Sequence, residues 1–210
     1  MDILTTGDII KIIDCMADTN IQNEVYFCEL DSVAGDGDFG MSLAKGFKVV
    51  KQEWDSLEKD DIGAFLKGCG MIITEYCGGA SGPIWGTAFI SAARTAKGKT
   101  ELSLKELADV MQSAVEGIQK RGGAQLGDKT LLDALIPAVI SLKNDAEAGL
   151  GVTTAFANAA NAASEGAEKT KNMVAKRGRA TYVGERSISH PDAGAMAIGV
   201  IFNEIMKSFC

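Results

Sequence analysis

The sequence has very little histidine and little proline, and its cysteines are not paired. Histidine occurs once in 210 residues, so a histidine-rich metal site is excluded and a Ser-His-Asp triad would depend on His190 alone. Five cysteines without a Cys-x-x-Cys pair indicate neither a disulfide framework nor a zinc knuckle. No apolar run approaches the roughly 18 residues of a membrane span, and the N-terminal segment has no signal-peptide core. We therefore expect reduced thiols in a cytoplasmic protein.

Positive charge is also scarce. Lysine and arginine number 21 against 28 acidic residues, and the net charge of −7 argues against nucleic acid or an anionic membrane as a partner. One stretch is an exception, because between residues 168 and 186 the basic side chains outnumber the acidic ones. Its basic residues are Lys169, Lys171, Lys176, Arg177, Arg179 and Arg186. They are as consistent with a solvated basic face as with a phosphate-binding surface.

The chain shows no convincing strand-like alternation of apolar and polar residues. Apolar residues recur instead at steps of three and four, which predicts eight helices near residues 8–19, 40–54, 61–76, 82–96, 103–121, 131–143, 153–174 and 194–209. Ser103 and Glu106 predict a capping box. Pro137 lies inside the sixth helix and is expected to kink it at a cost of about 3 kcal/mol, unless it occupies the first turn. The best short strand candidate is residues 24–30, which could be an extended lead into the next loop. We predict one all-α domain over residues 1–210.

Three aspartates are concentrated in one loop, at Asp31, Asp36 and Asp38. Two like charges about 4 Å apart repel by roughly 1 kcal/mol in water and about 4 kcal/mol near a protein surface, so a counterion is expected. Oxygen ligands without thiolate or imidazole favour Mg²⁺, and Mg²⁺ held by a few carboxylates usually also binds phosphates. The loop therefore predicts nucleotide chemistry. A simpler role remains open for Asp38: its sole role could be to cap the helix that follows.

Glycine-rich stretches at residues 35–40 and 78–82 each precede a predicted helix start. Exposed N–H groups and the positive end of the helix dipole make such places anion sites, and Ser81 could add a hydroxyl donor. A flexible turn is the alternative for the second stretch alone.

The first glycine stretch, residues 35–40, shares residue types with three known motifs but lacks other features that each motif requires. The dinucleotide fingerprint needs a preceding strand and an uncharged loop, and the kinase Asp-Phe-Gly motif needs a strand lysine and a His-Arg-Asp segment. An EF-hand beginning at Asp36 would need glycine and glutamate where Met41 and Phe47 stand. All three are rejected. His190 is interpreted as part of a turn before the last helix.

Four spaced blocks resemble, along essentially the whole chain, the L subunit of dihydroxyacetone kinases that take phosphate from the phosphotransferase system. They are Asp31 with Gly-Asp-Gly-Asp-x-Gly at 35–40, Gly-Gly-Ala-Ser-Gly-Pro at 78–83, Gly-Asp-Lys-Thr at 127–130, and the residues at 176–180, 184–187 and 190–194. The resemblance implies an eight-helix barrel with ADP or ATP and two Mg²⁺ ions at one end, the metals bound by Asp31, Asp36 and Asp38. It also implies nucleotide contacts and a catalytic role for Arg179. The implied contacts are Phe39, Gly40, Met41, Ser42, Ala80, Ser81, Gly122, Leu131, Arg179, Asp192, Ala193 and Gly194.

The same resemblance implies two protein partners. ADP would accept phosphate from a phosphohistidine on an M subunit, and the ATP formed would phosphorylate dihydroxyacetone on a K subunit. Phe39 stands where the family pattern usually has histidine. Two alternatives therefore remain open: an ATP-dependent kinase domain for a short ketose with exchanging nucleotide, and a non-catalytic nucleotide-sensing module.

Overall fold

The computed structural model describes residues 3–209, and that part of the chain is almost entirely helical. Its α-helices are α1 (Thr6–Gln22), α2 (Glu24–Ser32), α3 (Phe39–Gln52), α4 (Ile62–Tyr76), α5 (Ser81–Thr95), α6 (Leu104–Gly122), α7 (Leu132–Glu147), α8 (Val152–Lys169) and α9 (Ala193–Phe209). Short 3₁₀ segments cover Thr170–Asn172 and Arg179–Ser187. Two three-residue strands, β1 (Ile3–Thr5) and β2 (Glu101–Ser103), pair antiparallel.

The helices close into a ring. From α3 to α9 each helix packs against the next one in the chain, and α1 completes the ring by packing against both α3 and α9. The short α2 also packs on α3 and α9, so α1 and α2 together fill one position of the ring. The predicted all-α, eight-position barrel is therefore confirmed. No helix between residues 3 and 209 has both the length and the apolar character to cross a membrane.

Apolar side chains point into the ring and form one continuous core. Its large members include Phe47, Phe65 and Trp85, and edge-to-face ring contacts join Phe47 to Trp85 and Trp54 to Phe65. The middle of the barrel is not completely filled, because a cavity of about 150 Å³ remains between side chains of α1 and of the helices from α4 to α9. This core fixes the helix ends on which the polar site is built.

The alternating direction of the helices places four helix starts at one end of the barrel. Neighbouring helices joined by short connections alternate in direction around the ring, so α3, α5, α7 and α9 begin at the end where α2, α4, α6 and α8 finish. The paired strands lie at the opposite end. Each helix start carries a partial positive charge of about half an elementary charge, and each helix end carries an opposite one, so four of each kind lie at this end of the barrel.

The expectation that residues 24–30 are extended is wrong, because they form most of α2. This helix was missed because it buries only Phe27, so the sequence has no apolar stripe there. Its backbone lies directly against α3, since a Cβ on Gly40 would collide with the carbonyl oxygen of Glu24. The two strands were not predicted either, because three residues are too few to show alternation.

Two other helix predictions can be checked in detail. The capping box at the start of α6 is present: Ser103 Oγ accepts the Glu106 N–H, and the Glu106 carboxylate accepts the Ser103 N–H at 2.8 Å. The helix predicted to reach residue 174 ends at Lys169, where the Thr170 hydroxyl donates to the Ala167 carbonyl and the chain tightens into a 3₁₀ turn.

Pro137 lies in the interior of α7 rather than in its first turn, and α7 continues past it to Glu147. Proline cannot donate to the carbonyl of Asp133, four residues before it. That carbonyl instead faces α8 at Gly166, where a Cβ would collide with it. The proline and the glycine together allow α7 and α8 to pack very closely.

Candidate functional site

Three carboxylates converge at the end of the barrel where the four helices begin. Asp31 comes from the last turn of α2, Asp36 from the connecting loop, and Asp38 from the residue before α3, and each offers an oxygen within 4.8 Å of the others. We call these three residues the aspartate cluster. The carboxylate of Asp31 also accepts a hydrogen bond from the Gly37 N–H at 2.9 Å, which orients it toward the loop.

Glycine makes this convergence possible. A Cβ on Gly35 would collide with the Asp31 carboxylate, so the loop can pass over that side chain only without one. Gly37 has a φ of +73°, in the left-handed region that glycine tolerates best. The glycines of this stretch therefore bend the backbone around a fixed carboxylate.

Asp38 is not a helix cap in the usual sense. It occupies the N-cap position of α3, but its side chain accepts no capping hydrogen bond and its backbone angles are helical rather than extended. The structure does not support the alternative in which Asp38 serves only α3. Its carboxylate belongs to the aspartate cluster.

Arg179 is the cation that reaches this cluster in the part of the chain that the structure describes. Its guanidinium contacts the Asp36 carboxylate and lies 3.9 Å from that of Asp38. One guanidinium cannot balance three carboxylates, so the cluster keeps an excess of negative charge. Hard oxygen donors in excess of the local positive charge fit Mg²⁺ and do not fit a softer metal.

The basic stretch does not act as one surface. Lys169 and Lys171 pair with glutamates of α8, and Lys176 and Arg177 pair with Asp128. Of the stretch's basic residues, Arg179 is the one that contacts the aspartate cluster in the described part of the chain. Arg179 therefore differs from the neighbouring basic residues in the carboxylates that it contacts. The sequence alone left this difference undecided.

The second glycine stretch lies next to the first. A Cβ on Gly78 would lie only 2.6 Å from the hydroxyl oxygen of Ser42, in the first turn of α3. Ala80 holds the N-cap position of α5 without a side-chain cap, and Ser81 is its first residue. The starts of α3 and α5 are thus neighbours. Met41, also in the first turn of α3, is exposed.

The remaining predicted contacts lie at the starts of α7 and α9. Leu131 precedes α7, and a Cβ on Gly194 would lie 3.2 Å from the Leu131 Cβ. Asp192 caps α9 by accepting the Ala195 N–H at 2.8 Å, and its own N–H donates to the Thr170 hydroxyl. Ala193 is buried as the first residue of α9. Gly122, the last residue of α6, lies against the side chain of Ile84 in α5.

Asp192 has an unusually high pKa for an aspartate. Burial raises the pKa of its carboxyl to about 7; the Asp133 and Asp31 carboxylates act in the same direction, whereas the Ala195 N–H and the Lys129 ammonium oppose them. Asp31, a member of the aspartate cluster, makes the smallest of these contributions. A cation bound there would favour the ionised form of Asp192.

Phe39 turns its ring toward the protein. The ring lies 6.3 Å from that of the fully buried Phe27 and packs against the core. Its side chain therefore joins α3 to α2. What Phe39 offers to the site is its backbone at the start of α3, rather than a side-chain donor.

Lys129 and Asp133 are two buried residues that the sequence did not single out. The carboxylate of Asp133 accepts the N–H groups of Gly127 and Thr130, at 2.6 and 2.7 Å, and so shapes the loop before α7. Lys129 donates to four backbone carbonyls, one of them that of His190. The side chain of His190 itself is exposed in the connection to α9. Only the Gly-Asp-Lys-Thr block pointed to this loop, and it gave no sign that the lysine is buried.

Comparisons with known proteins identify the family of this chain. The family model of the DAK2 domain matches residues 33–207. The PEP-dependent dihydroxyacetone kinase, ADP-binding subunit DhaL, of Escherichia coli K12 is 40% identical over 173 residues, which cover 82% of each chain. The corresponding subunit of kinase 2 from Listeria innocua is 40% identical over 187 residues, covering 87% of this chain and 85% of that one.

A solved structure shows the same fold. The dihydroxyacetone kinase from C. freundii, crystallised in complex with AMP-PNP and Mg²⁺, matches with a TM-score of 0.77 at 23% identity. The match covers 95% of this chain and 33% of that one, so this barrel corresponds to one part of a longer chain.

Proposed function

Because this chain belongs to the DAK2 domain family, we propose that it is the nucleotide-binding subunit of a dihydroxyacetone kinase. It would hold ADP with two Mg²⁺ ions, accept phosphate from a phosphohistidine on an M subunit, and pass it as ATP to dihydroxyacetone on a K subunit. Such a subunit would work in the cytoplasm. The observation that carries the proposal is the convergence of Asp31, Asp36 and Asp38 at the end of the barrel where four helices begin.

The chain's own groups suit a diphosphate. The starts of α3 and α5 lie side by side, and their N–H groups and dipoles favour phosphate oxygens. The Asp31, Asp36 and Asp38 carboxylates would bind the magnesium ions, which supply charge neutralisation of the phosphate oxygens during in-line transfer. Arg179, whose planar guanidinium can bridge two phosphate oxygens, would stabilise the charge that develops on the transferred group.

The exposure of the site supports a protein as phosphate donor. The side chains of Asp36 and Arg179 are 43% and 54% exposed, so the reactive end of a bound diphosphate would face solvent and could be reached by a phosphohistidine on another subunit. Phosphoryl transfer depends mainly on positioning and charge neutralisation. The sugar-binding groups would then come from the K subunit, and this chain would carry phosphate between its partners.

Nucleotide extraction and one pair of variants test the proposal. Purified protein should release ADP on denaturation, identified by mass spectrometry, and should transfer phosphate from phosphoenolpyruvate to dihydroxyacetone when M and K subunits are added. Asp36→Asn should lower the transfer rate at least about a hundredfold, as expected for loss of a metal-binding charge. Asp60→Asn, an exposed aspartate in the loop at the opposite end of the barrel, should leave the rate unchanged.

Three outcomes would contradict parts of the proposal. A protein that binds no ADP with Mg²⁺ is not a nucleotide subunit of any kind. Binding of ADP without transfer to the added partners would favour the nucleotide-sensing module. Loss of ADP on dialysis, together with transfer driven by free ATP, would favour a kinase domain with exchanging nucleotide.

A further inference from the structure

The ammonium group of Lys129 is buried among backbone carbonyls. Only 3% of the residue is exposed, and Nζ lies 2.9 Å from the carbonyl oxygen of Thr170, 3.1 Å from Met173, 2.5 Å from Ser187 and 2.8 Å from His190. Three N–H donors are therefore shared among four acceptors. Lys129 also has a φ of +62°, an uncommon conformation for a residue with a Cβ.

These four carbonyls flank one segment of the chain. Residues 174–186, which we call the arch, leave the barrel after Met173 and return to it at Ser187. Two carbonyls belong to the residues just before the arch and two to the residues just after it. Lys129 lies in the loop that leads into α7, so one side chain joins both ends of the arch to the barrel.

Further hydrogen bonds tie the base of the arch. The Ser187 hydroxyl accepts the Ala175 N–H at 3.1 Å and donates to the Gly184 carbonyl at 2.7 Å. The Ser189 N–H donates to the Lys171 carbonyl at 2.8 Å. Next to Lys129 in the chain, the carbonyl of Asp128 accepts the Lys176 N–H at 3.0 Å and adds to this hydrogen-bond network.

The outer part of the arch carries Arg179. This residue directly follows Gly178, which has a φ of +67°, and Gly184, with a φ of +55°, marks the return. The guanidinium of Arg179 contacts Asp36 of the aspartate cluster. The position of Arg179 therefore depends on how the base of the arch is held and on Asp128, whose carboxylate pairs with Lys176 and Arg177 just before Arg179.

The chemistry of the base favours a lysine. Burial lowers the pKa of the Lys129 ammonium, and the Asp192 carboxylate opposes that shift. An apolar side chain of the same length would leave buried carbonyls without donors, which is unfavourable. The cost would fall on the arch, since all four acceptors are at its two ends.

We propose that Lys129 is a positioning residue for phosphate: by fixing both ends of the arch, it holds Arg179 at the aspartate cluster where the diphosphate would bind. This inference rests on the proposed function, because it takes nucleotide phosphate as the ligand of Arg179. Lys129 itself contacts backbone and acts through Arg179.

Limited trypsin digestion of the free protein tests the first half of the proposal. The arch contains Lys176, Arg177, Arg179 and Arg186 as natural cleavage sites. Lys129→Met should raise the rate of cleavage within the arch at least tenfold, measured by intact-mass spectrometry, while circular dichroism shows the helices retained. Lys207→Met, which removes an exposed lysine of α9, should leave the rate within twofold of the original.

A double-mutant cycle on nucleotide release tests the second half. Lys129→Met should raise the dissociation rate of a fluorescent ADP analogue, measured with Mg²⁺ in a stopped-flow instrument, about tenfold. In an Arg179→Ala background the same change should raise it less than twofold, because the residue through which Lys129 acts is already gone. A purely structural role for Lys129 would give the same factor in both backgrounds.

Ser187→Ala repeats both measurements without altering a buried charge, so the test does not depend on the folding of Lys129→Met. It should accelerate arch cleavage and ADP release in the same direction by a smaller factor, about threefold. Unchanged cleavage in both variants would overturn the anchoring of the arch, whatever the nucleotide result. Equal factors in the two arginine backgrounds would overturn the link to Arg179, and failure of the unmodified protein to bind ADP with Mg²⁺ would instead refute the proposed function.

Discussion

Gly35→Ala separates the geometry of the aspartate cluster from the stability of the barrel. The added Cβ would meet all the outer atoms of the Asp31 carboxylate, and no backbone atom is among its three nearest contacts. Gly35 does not have a positive φ, so alanine introduces no backbone strain there. The side chain of Asp31 must therefore rotate away, losing its hydrogen bond to the Gly37 N–H and its place in the cluster.

The size of the effect on ADP binding follows from the loss of Asp31 as a charged ligand. A hydrogen bond to a charged group contributes about 1.5–3 kcal/mol. If Asp31 leaves the cluster, the affinity for ADP in the presence of Mg²⁺ should fall by a comparable amount, which is roughly ten- to 150-fold at about 1.4 kcal/mol per tenfold. The midpoint of thermal unfolding should fall by no more than the loss of the hydrogen bond between Asp31 and Gly37 requires, because the loop lies outside the core.

Isothermal titration calorimetry with ADP and Mg²⁺ measures this change. Gly7→Ala is a matched control, because its Cβ would have only an ordinary contact of 3.6 Å to Thr5 at the other end of the barrel. That variant should bind ADP like the original protein. If Gly35→Ala also bound ADP with unchanged affinity, Asp31 would not be a ligand and the assignment of the cluster would be wrong.

Three further predictions concern stability and can be checked on purified protein. Ser103→Ala removes the capping box of α6 and should lower the free energy of unfolding in urea by about 1 kcal/mol; no change would mean that the box is not formed in solution. Gly166→Ala forces α8 away from the Asp133 carbonyl and should lower that free energy by about 1–3 kcal/mol, so an unaffected variant would refute the close packing of α7 and α8. The pKa of Asp192 is about 7 in the folded protein against 3.8 as its usual value, so the folded state binds more protons between these values. The contribution of Asp192 to stability should therefore fall as the pH rises from about 4 to about 7. Asp192→Asn should make the unfolding midpoint less dependent on pH in that range, and an identical pH profile would contradict the shift.

The sequence was most informative where one local rule decides the structure. The three- and four-residue spacing of apolar side chains located most of the helices, and Ser103 with Glu106 marked the start of α6. The aspartate cluster could be predicted because its members are close in the chain, so that a single loop brings them together. These features depend on neighbours along the sequence.

Features that depend on distant parts of the chain were not predictable. The helix α2 is held by backbone contact with α3 and shows almost no apolar stripe of its own. The tolerance of Pro137 depends on Gly166 in the next helix. In the sequence, Lys129 resembles an ordinary surface lysine. Only folding brings the two ends of the arch to its ammonium group. In each case the partner lies more than twenty residues away or in another helix.

The central claim is that the three carboxylates bind a divalent cation that in turn anchors a diphosphate, and the linkage between the two ligands tests it most directly. Calorimetric titration of ADP into metal-free protein should be repeated at increasing Mg²⁺ concentrations. We predict that ADP affinity rises steeply with Mg²⁺ in the original protein and becomes nearly independent of Mg²⁺ in Asp36→Asn. Equal ADP affinity with Mg²⁺ and with EDTA, in folded protein, would contradict the account.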